Sequence, residues 1–247
     1  MKIKYIIPFP LDAAGVAAKQ AHFPAEYRTP GVEYVFAPVK NGTYAADSAY
    51  EWAILDAYIL EAGLASEDEG FDAVVMDTVS DSGLAALRSR LKIPVLGPGQ
   101  VQQHVACILG KRFSIVTMWR RWKPMYEKTL REYELGHHCA SIRYVESRPE
   151  AAANFGPTDP IYLALEAQAR AAIEEDGADV LLLGSTTMYK AVPLLRVAFP
   201  DVPVLDPGPL ALKLAEMLVT LGLTHSKRLY MPPEHLQDEK LRSLTGV

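Results

Sequence analysis

Short apolar runs alternate along the chain with longer stretches in which apolar positions recur every three or four residues. The short runs at 3–7, 33–38, 73–76, 95–96, 113–117, 141–145, 180–183 and 204–205 read as strands. The stretches at 45–63, 83–91, 101–109, 122–133, 160–175, 189–199 and 209–221 read as helices. The helix from Pro160 carries local signals. Thr158 is placed to cap it, Pro160 suits its first turn, and Gly177 follows its end. Strands alternating with helices predict an α/β fold built on parallel sheets.

The pattern repeats. Gly70-Phe71-Asp72-Ala73-Val74-Val75-Met76-Asp77-Thr78 lies on Gly177-Ala178-Asp179-Val180-Leu181-Leu182-Leu183-Gly184-Ser185. After a helix, Ile93-Pro94-Val95-Leu96-Gly97-Pro98-Gly99 lies on Val202-Pro203-Val204-Leu205-Asp206-Pro207-Gly208. The copies stand about 110 residues apart, so each is a half-molecule and not a solenoid unit. The expectation is two lobes related by a pseudo-twofold, 1–98 plus 209–247 and 99–208, each a parallel sheet flanked by helices, with a cleft between them. The repeat puts Thr78 and Ser185 at equivalent positions, just past the C-terminal end of a strand, where parallel sheets bind ligands. Backbone N–H groups at such a turn attract anions.

Composition narrows the function. The 247 residues are 49% hydrophobic and 22% charged, with a net charge of −5 and no long charge runs. Nucleic acid and anionic membranes are poor partners for such a surface, and no apolar stretch is long enough to span a bilayer. The opening Met1 to Pro8 run is too short for a signal sequence. The only cysteines, Cys107 and Cys139, imply no disulfide framework and fit a cytoplasmic location. His137 and His138 suggest a metal at first sight, but neighbouring residues point apart and no second ligand cluster has the spacing; no metal or cofactor is expected.

The chemistry concentrates near the two turns. Asp77 is either a proton-handling base or a carboxylate capping the following turn. Asp81 is a helix-start acid, read as a cap before a proton handler. Lys190, after the second turn, serves as a base only if desolvated and otherwise is a solvated charge. His104 reads as a satisfied helix histidine, and Cys107, on a stripe with Val101, Val105 and Ile108, as core. Trp119, Arg120, Arg121 and Trp122 line the cleft or form an exposed loop.

These residues resemble the aspartate/glutamate/hydantoin racemases, closest to the hydantoin and allantoin racemases. The resemblance spans nearly the whole chain. It rests on Val95-Leu96-Gly97-Pro98-Gly99 through His104, Leu109-Gly110-Lys111-Arg112-Phe113-Ser114-Ile115-Val116-Thr117, Pro124, Glu127 and Cys139-Ala140-Ser141-Ile142-Arg143. It continues through Glu175-Asp176-Gly177-Ala178-Asp179-Val180, Lys213-Leu214-Ala215-Glu216 and Gly222-Leu223-Thr224-His225-Ser226-Lys227-Arg228. The resemblance implies a cysteine at each post-strand turn, one removing and one returning a proton. This chain has Thr78 and Ser185 there, with Asp81, Gly83, Gly184 and Met188 keeping the frame. It also has Pro8-Phe9-Pro10 where the family has an asparagine-rich turn, and an acid at Asp206 that reads as structural.

A serine or threonine hydroxyl is no base at neutral pH without a strong activating partner, so two-thiol racemisation is not expected. The hydroxyls remain good donors to a carboxylate or enolate oxygen. The expectation is therefore a cofactor-independent enzyme acting on a small carboxylate or cyclic amide by proton transfer at carbon. Asp77, Thr78, Ser185 and Lys190 would carry the chemistry. Phe9, Val79, Ser80, Thr117, Tyr126, Thr186 and Thr187 would contact substrate, Thr117 and Tyr126 through the resemblance. A decarboxylase or hydrolase on the same scaffold, and a non-catalytic binder, are the alternatives. The resemblance also implies a homo-oligomer.

Overall fold

The computed structural model describes residues 1–43 and 45–246, and of residues 153 and 154 the backbone only. Contacts divide the chain into two compact units, residues 1–98 with 211–247 and residues 99–210. Each is an α/β unit with a four-stranded, all-parallel sheet.

Unit 1 opens with β1 (Lys2–Ile7), followed by α1 (Ala13–Gln20), β2 (Glu33–Pro38), α2 (Ala49–Gly63), β3 (Ala73–Met76), α3 (Leu84–Arg90) and β4 (Val95–Leu96). The sheet order is β2-β1-β3-β4. One sheet face is closed by α2 and α3, with Ile6, Val74, Met76, Leu55, Ile59, Leu84 and Leu87 in a common core. The near-continuous apolar runs seen in the sequence are what a parallel strand covered on both faces requires.

Unit 2 repeats the plan. After α4 (Pro98–Leu109) come β5 (Phe113–Thr117), α5 (Lys123–Glu132), β6 (Cys139–Tyr144), α6 (Pro160–Glu174), β7 (Val180–Leu183), α7 (Ala191–Ala198) and β8 (Val204–Leu205), in sheet order β6-β5-β7-β8. The chain then runs through α8 (Pro207–Thr220) into the unit 1 residues and ends with α9 (Asp238–Thr245), which packs on α2.

The repeat extends to individual hydrogen bonds. Asp72 accepts from the Lys2 N–H at 2.7 Å, and Asp179 accepts from the Lys111 and Arg112 N–H groups at 2.9 and 3.0 Å. Each aspartate thus satisfies orphan donors at the start of its sheet's first strand. These bonds, aided by the nearby Arg112 and Lys111 charges, hold the Asp179 pKa below the usual carboxylate value. Arg88 on α3 donates to the Val95 carbonyl at 3.0 Å, and Arg196 on α7 donates to the Val204 carbonyl at 3.0 and 3.2 Å.

Local signals in the sequence need four corrections. Asp159, not Thr158, caps α6, accepting from the Ile161 and Tyr162 N–H groups. Helix α2 starts at Ala49, because the Ser48 side chain caps it there. Gly83 is the N-cap residue of α3, and Asp56 on α2 accepts its N–H at 2.9 Å, so a side chain from another helix serves the start of α3. Two helices, α1 and α9, lie outside the stretches that the apolar pattern marked as helical. No helix among the described residues is long and apolar enough to cross a membrane.

Candidate functional site

In unit 1 the turn after β3 carries Asp77 to Ser82. Asp77 continues the strand far enough for its N–H to reach the Ile6 carbonyl. Its side chain is buried at 3% exposure. Tyr5 of the neighbouring strand donates to Asp77 Oδ1 at 2.9 Å, and Lys19 of α1 pairs with Oδ2 at 2.5 Å. The carboxylate is therefore held from the other elements, by a tyrosine and a buried ammonium that the sequence did not single out.

Thr78 is half-buried. Its hydroxyl accepts from the Ser80 N–H at 3.3 Å and shares a 2.7 Å hydrogen bond with the Ser80 hydroxyl, which meets the buried Ser82 hydroxyl at 2.9 Å. Val79 is buried. Asp81 follows, buried and in the left-handed region at φ +53°, a conformation that costs a non-glycine residue of order 1–3 kcal/mol. Its carboxylate lies over Gly97, where an added Cβ would come within 2.2 Å of Asp81 Oδ1. The Gly97 of the repeat motif is thus required for this carboxylate to fit.

In unit 2 the equivalent turn has the same wiring. The Ser185 hydroxyl accepts from the Thr187 N–H at 3.2 Å and shares a 2.8 Å hydrogen bond with the Thr187 hydroxyl. Ser185 caps a single 3-10 turn over Thr186–Met188. Ser185 and Thr187 are half-buried, while Thr186 is buried.

The base of this second turn is supported by Thr117 and Tyr126. Tyr126 is fully buried, donates to the Gly184 carbonyl at 2.6 Å, and so accepts from the Thr117 hydroxyl at 2.8 Å. Burial pushes the phenol's pKa up. A Cβ at residue 184 would lie 2.5 Å from Thr117 and 2.6 Å from Tyr126 Oη, so only glycine fits. Both residues were expected to touch substrate. In the structure both side chains are buried, the Tyr126 hydroxyl bonded to the Gly184 carbonyl behind Ser185 and the Thr117 hydroxyl bonded to Tyr126. Gln102 adds a buried hydrogen bond to the Leu183 carbonyl at 3.2 Å.

The remaining candidates separate cleanly. Lys190 is exposed, so the desolvation that a lysine base needs is missing. Phe9, half-buried, sits in the bend after β1. Cys107 hydrogen-bonds back along α4, and burial raises its pKa. Cys139 starts β6, and its thiol is pushed up to about 11, mainly by burial. Neither thiol stands on either turn or has the lowered pKa of a reactive cysteine. His104 is exposed and bonds to the Gln100 carbonyl. His137 and His138 stack on each other at 4.1 Å, and no group of three metal-ligating side chains exists among the described residues.

Comparison with known proteins agrees with this geometry. The family model for Asp/Glu/Hydantoin racemase matches residues 17–215. A hydantoin racemase from Pseudomonas sp. (strain NS671) is 32% identical over 198 residues, 79% of this chain and 78% of that one. The hydantoin racemase of Rhizobium meliloti is 34% identical over 161 residues, so the matched stretch spans 65% of this chain and 66% of the relative. The solved structure of an allantoin racemase from Klebsiella pneumoniae superposes with a TM-score of 0.86 at 27% identity, covering 96% of this chain and 95% of the other. Two parallel sheets of one plan, a polar turn after the third strand of each, and these matches together make the chain a member of the Asp/Glu/hydantoin racemase family, in its hydantoin and allantoin racemase branch.

Proposed function

We propose that the protein is an enzyme that moves a proton at carbon in a small carboxylate or cyclic amide, with no thiol at either turn and no cofactor. One observation carries this reading: the two repeat-equivalent turns each present a half-buried hydroxyl, Thr78 or Ser185, prearranged by the N–H and hydroxyl two residues on. Prearranged hydroxyl donors suit an oxygen on which negative charge develops, as when a proton leaves the carbon next to a carbonyl. They do not suit removal of that proton.

Proton handling in this reading falls to Asp77, adjacent to Thr78. Lys190 is set aside because of its exposure. The relatives named hydantoin and allantoin racemase support a cyclic ureide as the first substrate class to try. Separate enantiomers of 5-substituted hydantoins and of allantoin in D2O would show deuterium entering at the ring carbon by proton NMR, with loss of optical activity in step. Asp77→Asn should abolish this exchange, and Ser185→Ala should slow it by about 100-fold, the usual loss for one oxyanion donor. Enzyme-dependent exchange absent from every ureide and amino acid tried would overturn the reading. A mass loss corresponding to CO2 from an α-substituted malonate would redirect it to decarboxylation.

A further inference from the structure

We propose that α1 is a lid on the post-β3 turn, latched by the Lys19–Asp77 ion pair. The inference starts from what α1 buries. Of its eight residues only Lys19 is buried. Leu11, Gly15 and Val16 are half-covered, and Asp12, Ala13, Ala14, Ala17, Ala18 and Gln20 face solvent. By contrast α2 buries Leu55, Ile59 and Gly63 and belongs to the core. Val16 covers some apolar surface and Arg28 donates to the Gln20 carbonyl at 3.1 Å, but the one buried side chain of α1 carries a charge. Its one ion-pair partner among the described residues is Asp77, the residue directly before Thr78.

The choice of fastening matters physically. A helix held by apolar burial opens only by exposing that surface to water. A helix held by a buried ion pair loses the Coulomb attraction on opening but regains hydration of both ions, and the two nearly cancel. Opening is then close to balanced. A helix of eight residues also has no independent stability in water, so release of Lys19 lets it fray. The Pro8-Phe9-Pro10 bend joins it to β1. Opening would take Lys19 away from the buried Asp77 carboxylate, which Tyr5 also holds. The lid assignment rests on the reading of the post-β3 turn as the substrate turn.

Hydrogen–deuterium exchange of the full chain, read by mass spectrometry, tests this. In the wild-type protein the 13–20 amides should exchange at least about 100-fold faster than those of α2. Lys19→Ala should strip the remaining protection from 13–20 while leaving α2 and β3 protected. Replacing the whole latch with apolar groups, Lys19→Met with Asp77→Leu and Tyr5→Phe, should slow exchange at 13–20 by about 10-fold or more, because opening now exposes apolar surface. Exchange at 13–20 matching α2 in the wild type, or unchanged by the apolar latch, overturns the proposal. If the triple variant does not fold, the Lys19→Ala comparison decides. Adding a 5-substituted hydantoin separates the lid from the function. Protection gained at both 77–82 and 13–20 supports both, and protection gained at 77–82 alone overturns the lid. Protection gained at neither refutes the ureide reading, and the latch series then decides the lid.

Discussion

Tyr126→Phe tests whether Thr117 and Tyr126 hold the second turn or meet substrate. The substitution removes one oxygen from a fully buried site. It leaves the Gly184 carbonyl without its 2.6 Å donor and the Thr117 hydroxyl without its 2.8 Å acceptor. Each buried group left unpaired costs about 1–3 kcal/mol, and the Thr117 hydroxyl recovers part of its share by rotating. The expected loss is about 2–4 kcal/mol, confined to unit 2. Urea unfolding is the assay, with hydrogen exchange of the β5 and β7 amides reporting unit 2 separately from unit 1, since a two-unit chain need not unfold in one step. Thr117→Val should cost less, about 1 kcal/mol, since Tyr126 keeps its bond to Gly184. The double variant should cost less than the two singles together, because the pair shares one bond. A loss below about 0.5 kcal/mol in Tyr126→Phe, accompanied by a raised KM for a turned-over substrate, would refute the positioning role and restore substrate contact.

Two other perturbations follow from the same geometry. Gly97→Ala brings a Cβ against the Asp81 carboxylate, so it should cost about 1–3 kcal/mol in unit 1 and reduce turnover together, measured by unfolding and by deuterium exchange into substrate. His225 accepts the Val95 N–H on the outer strand β4, and burial, with Arg88 and Lys227 nearby, lowers its pKa to about 4. The unfolded chain binds that proton near 6.5 and the folded one only near 4, so stability from this contact is complete above about pH 6.5 and falls as pH drops to about 4. Because the ring is partly exposed, the loss is about 1–2 kcal/mol, and a pH series of unfolding midpoints should show it vanish in His225→Gln.

Much of this molecule is readable from its apolar pattern. Strands β2, β3, β4, β5, β7 and β8 have the bounds the runs predict; all but the edge strand β2 are buried along their whole length, and such a strand must be apolar on both sides and stops where that requirement stops. The repeat located the two turns for the same reason: Asp72 and Asp179, like Thr78 and Ser185, occupy fixed offsets from a strand. The ends of helices were less legible. Ser48, Asp56 and Asp159 win their capping positions through backbone geometry that composition alone does not distinguish from the competing Thr158 or Asp81.

The site's charges were the least legible part, and the reason is physical. A lysine in an alanine-rich, mostly polar stretch has every local mark of a solvated residue, so Lys19 offered no periodicity to separate it from Lys190. What separates them is burial: the fold buries Lys19 against Asp77, 58 residues away in sequence, and leaves Lys190 exposed. Asp77 read as a base or a turn cap for the same reason, since neither partner is near it in sequence. Pairing changes what it is free to do: one of its oxygens is held by a phenol and the other by an ammonium. Under the proposed function and lid together, turnover should be slow while α1 is closed. Its rate should depend on how often α1 opens. That would tie the proposed chemistry at Thr78 to a helix of which half the residues are alanine.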